Sequence, residues 1–201
     1  MIAIINYNMG NPLSIKNMLS YLEIESSVTN DLNLIRQADR LILPGVGSFD
    51  TAMKNLDSLG LISLLHELVL EKKIPILGIC LGMQLLTNYS EEGNVSGLRW
   101  IDAETKKFNI PREYKVPHMG WNTIVENPES KIAAELEENS RFYFVHSYYV
   151  KVKNKKNSSM KTSHFHEFDS AIEKDNIYGV QFHPEKSHKF GMKLFKNFSK
   201  L

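Results

Sequence analysis

Three short, predominantly apolar runs, residues 2–6, 41–43 and 74–79, recur between stretches with apolar residues at helical spacing. Runs this short and without alternation are the pattern of strands buried on both faces. Asn11 and Pro12 supply an N-cap and a first helical residue ahead of Leu13, Ile15, Met18, Leu19 and Leu22. Residues 61–72 carry Leu61, Leu64, Leu65 and Leu68 and stop before Pro75; residues 81–89 read as a helix starting directly after the third run. Strand and helix in alternation predict an α/β fold, with a mainly parallel central sheet flanked by helices.

The second half changes character. Residues 141–152 are rich in aromatics and valine and predict long strands; residues 178–182 predict another strand. Phe190, Leu194, Phe195, Phe198 and Leu201 form a helical stripe, so a packed helix is expected at the end. Residues 151–161 hold five lysines with Asn and Ser between them. They read as a solvated hairpin tip, because no aromatic interleaves the lysines as a single-strand nucleic-acid site requires. Repeats and linkers are absent from the sequence, so residues 1–201 are expected to form a single domain.

Composition excludes several function classes. Lys plus Arg number 24 against 23 Asp plus Glu, a formal net charge of +1, which removes the electrostatic case for nucleic acid or an anionic membrane surface. One cysteine excludes an internal disulfide and a multi-cysteine metal site. The longest mainly apolar stretch, 74–86, is shorter than the about 20 residues a transmembrane helix needs, and the start has no basic region of a signal peptide. A cytoplasmic protein is expected.

The single cysteine lies in Gly78-Ile79-Cys80-Leu81-Gly82, between an expected strand and an expected helix. That is the nucleophile-elbow arrangement with cysteine in place of serine. A sharp strand-to-helix turn lifts the nucleophile out of the sheet, and flanking glycines avoid a clash in the turn. The helix start aims free N–H groups at the sulfur, which favours thiolate and offers donors to an oxyanion. The competing reading is an inert buried thiol, the usual state of a free cysteine.

A cysteine nucleophile needs a base. His183, in Gln181-Phe182-His183-Pro184-Glu185, follows the expected strand 178–182, and Glu185 is placed to accept its second ring N–H and fix the tautomer. His164 and His166 form a His-x-His pair, but no cysteine or carboxylate completes a ligand spacing, so they read as strand or loop residues and no metal is expected. Pro44-Gly45-Val46-Gly47-Ser48 lacks the lysine and spacing of a phosphate loop and reads as a flexible loop with a second oxyanion donor.

Gly78-Ile79-Cys80-Leu81-Gly82-Met83-Gln84 together with Gln181-Phe182-His183-Pro184-Glu185-Lys186-Ser187 resembles the class I glutamine amidotransferases. Pro44-Gly45-Val46-Gly47-Ser48-Phe49 and Val116-Pro117-His118-Met119-Gly120-Trp121-Asn122 are similar to the glutaminase subunits of imidazole glycerol phosphate synthase within that family. The resemblance runs over essentially the whole chain. It implies a flavodoxin-like glutaminase fold with extra antiparallel strands in the second half. It implies glutamine hydrolysis by Cys80, His183 and Glu185, with oxyanion donors from Leu81 and from Val46 or Gly47. Gly45, Gln84, His146, Ser147 and Tyr148 would bind glutamine; the residue-level alternative for His146 is a strand residue in the core. No cofactor is implied. Ammonia would pass to a separate barrel-shaped cyclase subunit in a heterodimer, across a contact region holding Asn11, Pro117, His118, Met119, Gly120, Trp121, Asn122 and Lys186. The alternative partner is a surface-sugar amidotransferase making acetamidino sugars. Departures from the family pattern, such as Asn6 and Asn8 in the opening loop and Arg99 and Ala103 after Glu91-Glu92-Gly93, leave the Cys80, His183 and Glu185 set untouched.

Overall fold

The computed structural model describes residues 1–111 and 114–201. Strands β1 (Ile2–Ile5), β2 (Ser26–Thr29), β3 (Arg40–Leu43) and β4 (Ile76–Ile79) are followed by the short β5 (Tyr89–Ser90) and β6 (Val95–Ser96) and by β7 (Ala103–Lys107). Then come β8 (His118–Thr123), β9 (Val125–Glu126), β10 (Arg141–His146), β11 (Tyr148–Val152), β12 (Ser158–His164), β13 (His166–Lys174) and β14 (Ile177–Val180). The helices are α1 (Pro12–Tyr21), α2 (Leu32–Arg36), α3 (Phe49–Ser58), α4 (Leu61–His66), α5 (Leu81–Leu85) and α6 (His188–Phe198).

One sheet runs β2-β1-β3-β4-β14-β13-β11-β7-β5-β6, with β12 attached to β13 and β9 to β12; β8 and β10 form a separate antiparallel pair. β2, β1, β3, β4 and β14 are mutually parallel; from β13 on the pairings are antiparallel except for β5 with β7. Successive residues of the parallel strands bury on opposite faces. Ala3, Ile5, Leu41, Leu43 and Ile76 join a core with Phe49, Ala52, Leu56, Leu61 and Leu65 of α3 and α4. Ile2, Ile4, Ile42, Leu77 and Ile79 join a second core with Ile15 and Leu19 of α1, Leu194, Phe195 and Phe198 of α6, and Phe142 and Phe144 of β10. Two covered faces are why β1, β3 and β4 are almost entirely apolar, whereas the edge strand β2, Ser26–Thr29, is mostly polar. Each Ile, Leu or Phe in the two cores contributes about 1.5–3 kcal/mol by leaving water.

Several expected boundaries move. The helix expected over 81–89 ends at Leu85, because the Asn88 N–H donates to the Ala103 carbonyl at 2.9 Å and Tyr89–Ser90 pairs with β7. The helix expected over 61–72 widens into a π turn at Glu67–Glu71. Residues 141–152 divide at Ser147 into β10 and β11, which belong to different sheets. The lysine-rich 151–161 segment is not a hairpin tip. β11 and β12 both pair with β13 instead of with each other, and Ser158, Ser159 and Met160 are buried. Lys151, Lys153, Lys155 and Lys156 face water ahead of β12, and Lys161 within β12 reaches the surface to pair with Glu167. β2, α2 and α3 have no counterpart among the expected elements. Among the described residues, no helix is long and apolar enough to cross a membrane.

Candidate active site

The loops that carry the motifs leave the carboxyl ends of three adjacent parallel strands. Residues 44–47 follow β3, Cys80 follows β4, and residues 181–185 follow β14. Carboxyl strand ends are where an open α/β sheet gathers a site. Cys80 sits at φ 54° and ψ −110°, a region that L side chains rarely adopt. Its N–H donates to the Val180 carbonyl at 2.7 Å, which ties the elbow to β14. A side chain at Gly82 would place Cβ 1.9 Å from the Leu43 carbonyl oxygen, so α5 can start this close to β3 only with glycine there. Strain of this kind costs about 1–3 kcal/mol and persists where surrounding packing enforces it. Cys80 is buried but not sealed, with 7 % of its surface exposed.

His183 is held from several sides. Its N–H donates to the Tyr143 carbonyl at 2.9 Å, and its carbonyl accepts from the Ser187 hydroxyl at 2.6 Å. Phe182 before it stacks on Phe142, with centroids 4.0 Å apart. The ring Nδ1 donates to Glu185 Oε1 at 2.7 Å, and the Glu185 side chain is itself buried. Nε2 makes no hydrogen bond in this geometry. Burial works against an imidazolium here, but the Cys80 sulfur and the Glu185 carboxylate outweigh it and lift the His183 pKa to about 10. A thiol and an imidazole so placed exchange a proton readily, which is the requirement for a sulfur nucleophile with its own acid and base.

The loop after β3 lies directly on α5. A Cβ at Gly45 would fall 2.7 Å from both Leu81 Cβ and the Gly82 nitrogen. Tyr7, fully buried, donates its hydroxyl to the Pro44 carbonyl at 2.5 Å and anchors the loop from β1. Val46 is exposed, and Gly47 takes φ +128°, a backbone state open to glycine. Leu81 opens α5, so its N–H has no carbonyl partner within the helix.

Cys80, Leu81, Val46, Gly47, Gln84, Ser147 and Tyr148 line one cavity of about 290 Å³. Gly45 is buried and is not among the residues lining it. His146 borders the same space, but both ring nitrogens are occupied by the protein: Nδ1 donates to the Tyr148 carbonyl at 2.7 Å and Nε2 meets His118 Nδ1 at 2.9 Å. His146 thus lines the cavity with a ring whose two nitrogens are both engaged by the protein. Glu92 also lines the cavity, though its place in Glu91-Glu92-Gly93 implies no site role for it. Burial raises its carboxyl pKa, against the Phe49 N–H it accepts from at 3.0 Å. A larger cavity of about 380 Å³ beside α6 is lined by Glu135, Glu137, Lys189 and Lys193, with no nucleophile.

The expected partner-facing residues separate into two groups. Met119 and Trp121 of β8 are 62 % and 45 % exposed, and Trp121 stacks on His188 at 5.5 Å. Pro117, Asn11 and Lys186 are exposed, Gly120 is half-buried, and Lys186 Nζ lies over the Tyr143 ring at 5.6 Å. His118 departs from the expectation. It is 5 % exposed and turned inward to His146, because alternate residues of β8 face opposite ways. Asn122 is half-buried and donates to the Ser163 carbonyl at 2.9 Å. His164 donates to the Lys115 carbonyl and stacks on His118, and no group of His, Cys, Asp and Glu suited to a metal occurs among the described residues.

Comparison with known proteins gives one consistent picture. The family described as "Glutamine amidotransferase class-I" matches residues 4–201. A Methanococcus maripaludis protein named "Imidazole glycerol phosphate synthase subunit HisH 2" is 59 % identical over 200 residues, covering 100 % of this chain and 99 % of that one. A Pseudomonas aeruginosa protein of the same name is 46 % identical, with both chains covered in full. Among solved structures, one described as a glutamine amidotransferase superposes with a TM-score of 0.74 at 16 % identity, covering 100 % of this chain and 98 % of that one. A putative GMP synthase component from Thermoplasma acidophilum gives 0.72 at 19 % identity, covering 99 % and 92 %. At such identities the two structures speak for the fold alone.

Proposed function

Because the chain belongs to the class I glutamine amidotransferases, we propose that it is the glutaminase subunit of an imidazole glycerol phosphate synthase, with Cys80, His183 and Glu185 as its catalytic set. The observation that carries this is the strained elbow at Cys80 beside a histidine whose Nδ1 is committed to a buried carboxylate at 2.7 Å. That commitment leaves Nε2 as the atom that exchanges protons with sulfur and substrate.

The Cys80 thiolate attacks the side-chain carboxamide carbon of glutamine, forming a C–S bond and a tetrahedral oxyanion. The Leu81 N–H and an N–H of Val46 or Gly47 hold that oxyanion. His183 Nε2–H protonates the departing nitrogen, the C–N bond breaks, and ammonia leaves a glutamyl thioester. His183, now neutral, takes a proton from water as the water attacks the thioester; glutamate leaves and the thiolate returns. Gln84, Ser147 and Tyr148 form the cavity wall, and the Glu92 carboxylate offers an ion-pair partner for the substrate α-ammonium. No cofactor is required by these steps.

Ammonia protonated in water is no longer a nucleophile, so a sheltered transfer to a separate cyclase subunit belongs to this proposal, with the complex in the cytoplasm. Trp121 and Met119 on β8, with Lys186 and Asn11, supply exposed apolar and polar groups for that contact; a half-exposed tryptophan is a strong anchor when covered. The two relatives above both carry the synthase name, and neither name points to the surface-sugar alternative. Cys80→Ser tests the whole proposal. It is expected to abolish glutamine-dependent synthesis by the reconstituted pair while ammonia-dependent synthesis persists. Near-normal glutaminase turnover in that variant would remove Cys80 from the role.

A further inference from the structure

The nucleophile has a neighbour that the steps above do not use. Gln181, fully buried, lies just past β14, and its side-chain Nε2 is 3.7 Å from Cys80 Sγ. The direction of its amide follows from its hydrogen-bond partners. Those partners settle it. The Tyr148 carbonyl can only accept, so the Gln84 group 3.1 Å from it is the NH2 end. The same Gln84 nitrogen lies 3.1 Å from Gln181 Oε1, so Gln181 presents its oxygen there and its NH2 to the sulfur.

A second line of donors reaches the same Tyr148 carbonyl from behind. Asn122 has its own direction fixed, since its Oδ1 accepts from the Thr123 N–H at 2.9 Å and its Nδ2 donates to Ser163. Asn122 Nδ2 therefore donates to His118 Nε2 at 3.1 Å, His118 Nδ1 donates to His146 Nε2, and His146 Nδ1 donates to the Tyr148 carbonyl. Every donor in the line points inward, and both rings are neutral. Burial, with like-charge neighbours adding to it, holds His118 at about 4 and His146 at about 3. The Tyr148 carbonyl is thus held on one side by His146 and on the other by Gln84.

We infer that Gln181 is a catalytic residue: its side-chain N–H donates to the Cys80 sulfur and favours the thiolate, while Gln84 acts as a positioning residue that locks the amide in the donating direction. A thiol is a poor acceptor and a thiolate a good one, so a fixed neutral donor selectively stabilises the charged form. Being neutral, Gln181 does this without competing with His183 for the proton. The inference rests on Cys80 being the nucleophile.

The test is the pH dependence of Cys80 alkylation by iodoacetamide, read with steady-state glutaminase kinetics on the full chain with its cyclase partner. Gln181→Met removes the donor at similar length. Gln181→Glu keeps the size and the acceptor for Gln84 but turns an oxygen toward sulfur. Both are expected to move the alkylation midpoint to higher pH, by about one unit for Met and more for Glu, and to lower kcat about tenfold with KM within about twofold. Gln84→Leu, which frees the amide to turn, is expected to move the midpoint in the same direction by less. A midpoint unchanged in folded Gln181→Met or Gln181→Glu, whatever the loss of thermal stability, overturns the inference. If Gln181→Met does not fold, Gln181→Glu carries the measurement. A Cys80→Ala control separates the two levels: glutamine turnover in that control overturns the nucleophile itself, whereas an inert control with unshifted Gln181 variants overturns only the role of Gln181.

Discussion

His183 and His146 are buried almost alike, 2 % and 6 % exposed, in neighbouring parts of the molecule. His183 faces a thiol and a carboxylate and is lifted to about 10. His146 faces a backbone carbonyl and a second histidine; burial, partly offset by the Tyr148 carbonyl, takes it down to about 3. Burial alone pushes both toward neutrality, so the partners decide the charge. An imidazole that moves protons is placed among groups that change charge. One that only holds a wall is placed among groups that cannot.

The two regions therefore bind pH to folding with opposite sign. His183 has a folded value above the ordinary one of about 6.5, so the stability it contributes is fully present below that pH and is lost as pH rises toward 10. His146 has a depressed folded value. Above pH of about 6.5 it is neutral in both states, and below it the unfolded chain takes up a proton that the folded one refuses, so stability falls as pH falls.

The largest expected effect lies on the proton-moving side. His183→Asn is expected to lower glutaminase kcat by about a hundred- to ten-thousandfold while circular dichroism stays native. Turnover equal to wild type would erase the distinction between the two histidines. Glu185→Gln comes next. The amide oxygen still accepts from Nδ1, but the charge is gone, so a smaller loss of about tenfold is expected, with the His183 NMR titration moved to lower pH. A titration that stays in place would mean the thiol alone holds the imidazolium. The smallest effect belongs to the wall. His146→Asn is expected to flatten the acid side of the stability curve, measured by urea unfolding between pH of about 6.5 and 5, by about 1.4 kcal/mol per pH unit. An unchanged slope would mean that folded His146 accepts a proton there and that the two environments differ less than their partners suggest.

The same division governs what was legible in the sequence. The elbow is local: Gly78, Cys80 and Gly82 lie within five residues, and the clash a side chain at Gly82 would make is with the strand next door to its own. Residues 183–185 are local as well, and the pairing of His183 with Glu185 needs only a short 3-10 turn. Gln181 stood in plain view inside its motif, but its contacts are to residues 97 and 101 positions away, and no spacing encodes that. Glu92 approaches the cavity by bonding to the start of α3, 43 positions earlier. Helical spacing after Leu81 suggested a longer α5, yet backbone pairing of Tyr89–Ser90 with β7 won, because a strand partner satisfies each N–H and carbonyl as well as a helix does. Ser147 ends one sheet and begins another without a composition change to mark it.

By itself the sequence determined the alternation of buried strands and amphipathic helices, the cysteine elbow and the histidine–carboxylate pair. Each of these is written in neighbouring residues, through side-chain periodicity, glycine placement or a turn of a few residues. Only the tertiary structure decided that β3, β4 and β14 lie side by side, that His118 and His146 point inward as a neutral pair, and that Gln181 reaches the sulfur. Those facts depend on strand order and register, which are set by burying two apolar faces at once over the whole chain, and a long-range packing condition leaves no signature at any single position.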